Sequence, residues 1–158
     1  MIEIKRTHDA PLLFDIDSFR SQQMENINFH RCMLDDNDFS FSTIINADCR
    51  SATMNKCNFK NSLIKNSRLI LVEACSAIFD DCYFKDSMLL HSNVSNSSFR
   101  NANLSEMIIK NVDFSNCNLE GANMNVDGLE TCNFNGVTYD ETTIWKEGFD
   151  YIEHCKHI

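Results

Sequence analysis

The chain has 158 residues, 43% of them hydrophobic, with 14 basic and 23 acidic side chains and a formal net charge of −9. That length predicts a single domain, and the longest aliphatic run, Leu69 to Val72, is far too short to span a bilayer. Only four glycines are present, too few for a phosphate-cradling loop or a nucleophile elbow, so nucleotide and hydrolase chemistry are not expected.

Residues 1–21 come first. Their opening, Met1-Ile2-Glu3-Ile4-Lys5-Arg6, lacks the basic-then-apolar architecture of a secretory signal, which predicts an intracellular, cytoplasmic protein. Phe14 and Phe19 keep the spacing of the residues that follow, whereas Leu12 and Asp17 stand where small side chains belong. The segment is therefore expected to be an N-terminal cap, because an open edge invites end-to-end pairing.

Residues 22–149 repeat with a period of five. Met24, Phe29, Leu34, Phe39 and every fifth residue after them to Ile144 are apolar, without a slip in phase. Two residues before these central positions the side chain is usually small, as at Ala47, Cys57, Ser67, Ala77, Ser87, Ala102 and Cys117. Residues two apart on a strand share a face, so both point inward and the other three of each five face water. A flat strand would flip its apolar face at every repeat, so the chain must bend once per pentapeptide. A helix is excluded, since five residues rotate its face by roughly 140° and scatter the stripe.

Phe19, Phe39, Phe59, Phe79 and Phe99 lie twenty residues apart. Identical side chains in a coil stack best directly above one another, so four pentapeptides make one turn of square cross-section. About six coils of 20 residues follow, roughly 30 Å long at a strand spacing of ~4.8 Å.

The segments Ala102-Asn103-Leu104-Ser105-Glu106, Cys117-Asn118-Leu119-Glu120-Gly121 and Ala122-Asn123-Met124-Asn125-Val126 carry an alanine, aspartate-or-asparagine, leucine pattern. On these residues the chain resembles the pentapeptide repeat family over about Gln22 to Phe149. The resemblance implies an all-β, right-handed quadrilateral (four-sided) parallel β-helix solenoid with terminal caps, and the handedness rests on it alone. Leu63, Arg68, Glu73, Ile78, Tyr83 and Met88 replace the usual Asp or Asn, so the middle of the chain is expected to be the less regular part. Thr143 to Asp150 is similar to a closing segment common in the family. Residues 150–158 are expected to form a tail or short helix.

Eight cysteines could suggest bridges, but Cys32, Cys57, Cys82, Cys117 and Cys132 take the small inward position and Cys49 a central one. They read as apolar fillers in a reducing compartment, with Cys75 facing outward. His154, Cys155 and His157 cluster in the tail, too few for a metal site to be expected. Ser, Asn and Asp fall at repeat positions, where they serve turns rather than acid–base work. The chain is expected to be non-enzymatic, without cofactor, metal or catalytic residue.

Function is then left to the outer walls. Around Leu69, Leu89 and Ile109 the outward flanks are Arg68 and Ile70, Met88 and Leu90, Ile108 and Lys110. Ile70, Met88, Leu90 and Ile108 should cluster in water, with Leu71 at the adjoining corner. Contiguous apolar surface of that kind marks an interface, here for a protein partner or a second copy. Charge is also uneven along the chain: Arg50, Lys56, Lys60, Lys65 and Arg68 form a basic stretch, and Asp113, Glu120, Asp127, Glu130, Asp140 and Glu141 an acidic one. The basic belt wraps several walls, so direct nucleic-acid binding is not expected. Members of the family that protect DNA gyrase carry acidic, duplex-shaped surfaces. The resemblance therefore implies a second reading, a DNA-mimicking modulator of a type II topoisomerase acting in gyrase protection or quinolone resistance. Against it, Lys60, Asp80, Arg100, Glu120 and Asp140 mix signs along one wall.

Overall fold

Strand pairing keeps a register of twenty residues: Met24 pairs with Ile44, Ile44 with Ile64 and Ile64 with Phe84, all in parallel. The computed structural model describes residues 1–155. In chain order its strands are β1 (Ile2–Ile4), β2 (Leu12–Phe14), β3 (Gln23–Glu25), β4 (Thr43–Ile45), β5 (Leu63–Lys65), β6 (Arg68–Ile70), β7 (Tyr83–Leu90), β8 (Asn103–Lys110), β9 (Asn123–Met124) and β10 (Ile144–Trp145). A 3-10 turn lies at Leu129–Thr131, and helix α1 at Tyr151–His154. Strands β3, β4, β5, β7, β8, β9 and β10 succeed one another up one wall, while β6 pairs with β7 on the next. Parallel bridges such as Met33 to Thr53 and Asp38 to Asn58 tie the remaining walls. The chain is an all-β parallel solenoid of about six turns.

The core is the stack of central residues. Phe19, Phe39, Phe59, Phe79 and Phe99 form a ladder with ring centroids 4.7 to 5.1 Å apart and planes within 19°. All five are buried, and each such ring contributes roughly 1.5–3 kcal/mol by leaving water. Phe114 and Phe134 stack in the same way on an adjoining wall, 5.2 Å apart.

The bend that the five-residue period demands is a residue in the left-handed region, two positions after each central residue. Between Ser21 and Asn116, nineteen non-glycine residues at five-residue intervals have φ from 49° to 62°. Asn, Asp and Ser fill most of these corners because their short polar side chains tolerate the conformation. The interval breaks at Glu106, where the register between β7 and β8 shifts. There the bulky, buried Met107 takes the place of a small inward residue.

Asn and Asp before the central residue cap the backbone two residues on: Asn58 Oδ1 accepts from Lys60 N–H at 3.0 Å, and Asn118 Oδ1 from Glu120 N–H at 2.9 Å. Where Leu63, Arg68, Tyr83 and Met88 replace them, strands β5, β6 and β7 form instead. The corners of that middle section, at Asn66, Leu71, Ser76, Asp81 and Asp86, are all left-handed, and its irregularity is confined to the register shift between β7 and β8 at Tyr83 to Met88. A second irregularity lies at Val126 to Thr131. Val126 is buried, the Asp127 side chain is exposed, and Gly128 takes φ 94° with its Cα against the Ile109 carbonyl, where a Cβ would come within 2.0 Å.

Inward serines and cysteines bond alike. Ser87 Oγ donates to Ile64 O at 3.2 Å and Ser97 Oγ to Ala74 O at 2.8 Å, and the thiols of Cys57 and Cys117 reach Leu34 O and Val94 O at 2.9 and 3.1 Å. Those two cysteines are thus hydrogen-bond donors and not only apolar fillers. All eight cysteines are free.

The ends differ from the body. Strands β1 and β2 pair antiparallel, and beyond them Arg6 bridges Cys32 antiparallel, with Thr7 N–H donating to Arg31 O at 3.0 Å and Met33 N–H to Lys5 O at 2.8 Å. This segment occupies backbone groups of the first coil. At the other end Trp145, not Ile144, pairs with Met124, and Ile144 is 52% exposed. The apolar phase read to Ile144 therefore slips by one residue in the last coil. Trp145, Phe149 and Tyr151 pack over Phe134 and Tyr139.

Candidate interaction surface

The outward residues of one wall stand in two columns. One column runs Asp48, Arg68, Met88, Ile108 and the other Ile70, Leu90, Lys110, each residue paired across adjacent strands. Ile70, Met88, Leu90 and Ile108 are thereby brought side by side, with Leu71 at the corner after β6. Leu71 and Ile108 are each 58% exposed, and the other three are half-buried. Among the described residues no terminal segment lies over Leu71 or Ile108.

Leu71 sits at one of the left-handed corners, with φ 57°. A branched apolar side chain is a poor occupant of that conformation, and water is a poor environment for it. Among the nineteen corner residues the large apolar ones are Leu71 and Phe41. Phe41 has a local partner, since the Arg20 guanidinium lies 4.6 Å from its ring centroid. Leu71 instead borders the apolar wall. The sequence carried this signal, since Leu71 breaks a run of mostly polar residues at five-residue spacing.

One end of the wall is basic. Asp48 holds Arg50 through contacts of 2.6 and 2.8 Å and lies 3.8 Å from Arg68, so two cations share one carboxylate. Hydrogen bonding from Arg50 keeps the Asp48 carboxyl below its ordinary range. At the other end stand Lys110 and Glu130.

The acidic residues do not make a continuous surface. Arg100 reaches Glu120 at 3.0 Å and Lys146 reaches Asp127 at 3.0 Å, so bases from neighbouring coils sit against two of its carboxylates. Asp140 Oδ1 accepts from Thr142 N–H and its hydroxyl at 3.0 and 2.7 Å and from Gly121 N–H at 3.3 Å. These bonds, the Thr142 hydroxyl first, lower the Asp140 pKa. Asp113 Oδ1 accepts from Ser115 N–H and from Asn133 Nδ2. Only Glu130 and Glu141 remain without a bond among the described residues.

In the core the void beside Cys49, Met54 and Phe59 measures about 10 Å³, room for about one water. Among the described residues no three His, Cys, Asp or Glu could hold a metal. Cys155 is buried, His154 Nδ1 lies 2.8 Å from Asp150 O, and His157 falls outside the described residues. No helix among the described residues is long and apolar enough to cross a membrane.

A family model for pentapeptide repeats matches residues 77–116 in eight copies, the stretch that contains β7, β8 and the apolar wall's centre. Over that stretch the chain carries pentapeptide repeats. A pentapeptide repeat protein from the Arabidopsis thaliana thylakoid lumen is similar in structure, with a TM-score of 0.51 and 19% identity over 70% of this chain and 69% of that one. The plasmid-mediated fluoroquinolone resistance protein QnrB1 aligns with a TM-score of 0.48 at 13% identity, over 91% and 85% of the two chains. HetL, a pentapeptide repeat protein involved in heterocyst differentiation regulation in Nostoc sp. strain PCC 7120, gives 0.41 at 17% identity, over 81% and 59%. No curated protein matches this chain in sequence. At these identities the likeness concerns the fold alone.

Proposed function

We propose that this pentapeptide repeat protein is a non-enzymatic, cytoplasmic interaction module that binds a protein surface through the wall of Ile70, Leu71, Met88, Leu90 and Ile108. The observation that carries the reading is Leu71, an apolar side chain kept 58% exposed on a left-handed corner that polar residues usually fill. Strain and exposure together are a cost that folding does not require, and such cost concentrates at functional surfaces. The topoisomerase reading has less support, because four of its six acidic residues are tied to bases or to backbone and side-chain donors.

The test is the double variant Leu90→Lys/Ile108→Lys. Both side chains point away from the core, so the melting temperature should hold while self-association or capture of a partner is lost. A large fall in melting temperature would make the wall structural. If neither association nor stability changes, the wall has no binding role. A gyrase supercoiling assay with and without quinolone, unaffected by the chain, would close the second reading.

A further inference from the structure

We infer that the occupant of the apolar wall is a second copy of this chain, packed face to face and antiparallel. The inference rests on the interaction-module reading above. It concerns what docks and in which direction.

The wall is self-complementary. Counting outward from Leu89, the coil below presents Arg68 and Ile70, the coil above presents Ile108 and Lys110, and the central coil presents Met88 and Leu90. Take a two-fold axis lying in the contact plane along the Met88–Leu90 part of β7. It turns each coil below the centre onto the coil equally far above it and keeps the two columns in place. Met88 then meets Met88, Leu90 meets Leu90, Arg68 meets Ile108 and Ile70 meets Lys110. Every cation faces an isoleucine, which its aliphatic stem can cover while the charge reaches water. An isologous contact needs this property of one surface meeting itself.

The next coils fix the direction. In the antiparallel arrangement Arg50 meets Glu130, an exposed carboxylate with no bond among the described residues. In the parallel one the two columns exchange, so Asp48 meets the Arg50 of the other copy; that carboxylate is already held by Arg50 and Arg68 of its own chain, and Glu130 is left facing Gly128 without a cation. The antiparallel arrangement is the one that gives the free carboxylate a partner.

The experiment is sedimentation equilibrium across a concentration series, with melting temperatures recorded in parallel. The wild-type chain should dimerise. Glu130→Arg sets two cations against each other at both ends of the contact and should weaken the dimer about tenfold without altering the melt. Adding Arg50→Glu to Glu130→Arg exchanges the charges and should restore the dimer. A wild-type chain that stays monomeric overturns the second copy, and the wall reading then rests on partner capture alone. A dimer lost in Leu90→Lys/Ile108→Lys but indifferent to Glu130→Arg overturns the antiparallel arrangement and keeps the wall. A dimer that survives Leu90→Lys/Ile108→Lys overturns both.

Discussion

Thr143 Oγ1 donates a 2.9 Å hydrogen bond to the carbonyl of Leu119, twenty-four residues back, whereas Ser87 and Ser97 reach twenty-three residues back to Ile64 and Ala74. The same bond is made with one residue more in the loop. The last coil therefore contains an insertion, and Trp145 takes the inward place that the spacing assigns to Ile144.

This slip makes a sharp prediction. Ile144→Ser should leave the melting temperature nearly unchanged, because Ile144 already faces water. Trp145→Ala removes a ring packed on Phe134, Tyr139, Phe149 and Tyr151 and should cost about 3–5 kcal/mol. Denaturant unfolding of the two variants measures both, and the reverse order of stability would restore Ile144 to the core.

Most of this fold was legible because a solenoid repeats one local decision. The spacing of Phe39, Phe59 and Phe79 contains the coil length, and their rings do stack. What the sequence hid are places where an apolar residue at the right spacing is not the one that packs. Val126 enters the core ahead of Asp127, and Trp145 displaces Ile144, because a single inserted or reoriented residue changes the face without changing composition. Leu63, Arg68 and Met88, which depart from the repeat pattern, nevertheless lie in paired strands. Of the candidate surfaces, the apolar wall was visible from the phase alone. The break-up of the acidic one was not, since Arg100 and Glu120 meet only when coils stack.

Leu71 offers a trade between stability and contact. Asn occupies the left-handed region with less strain than leucine, so Leu71→Asn should stabilise the fold by up to about 1 kcal/mol. The same change removes apolar surface from the wall and should weaken association. A higher melting temperature with weaker binding is the expected pair of readings. Unchanged association would remove Leu71 from the contact.

Phe79 lies in the middle of the ladder, 5.1 Å from Phe59 and 4.8 Å from Phe99. Phe79→Asp buries a carboxylate with no partner and should abolish the coil stack, at a cost above the ~4 kcal/mol that marks exceptional mutations. Glu130→Ala, on the exposed side of the 3-10 turn, should unfold with the wild type. Circular dichroism melts of the pair check the inward register.

The buried thiols set an alkaline limit on the fold. Burial pushes Cys57, Cys82 and Cys117 up to about 12 and raises Cys49 as well, so all four stay protonated in the folded chain. In the unfolded chain they ionise near pH 9, so above that point the unfolded state holds fewer protons and gains on the folded one. Each thiol then removes about 1.4 kcal/mol of stability per pH unit between roughly 9 and 12. The stabilising contribution is complete below pH 9. The chain should lose stability as the pH rises above about 9, and replacing Cys82 with Ser should move its alkaline unfolding midpoint upward. Thiol titration of the native protein at pH 8 should modify Cys75, which is partly exposed, while denaturant should reveal all eight. A melting temperature flat from pH 8 to 11 would show that the inward thiols do not hold their protons in the folded state.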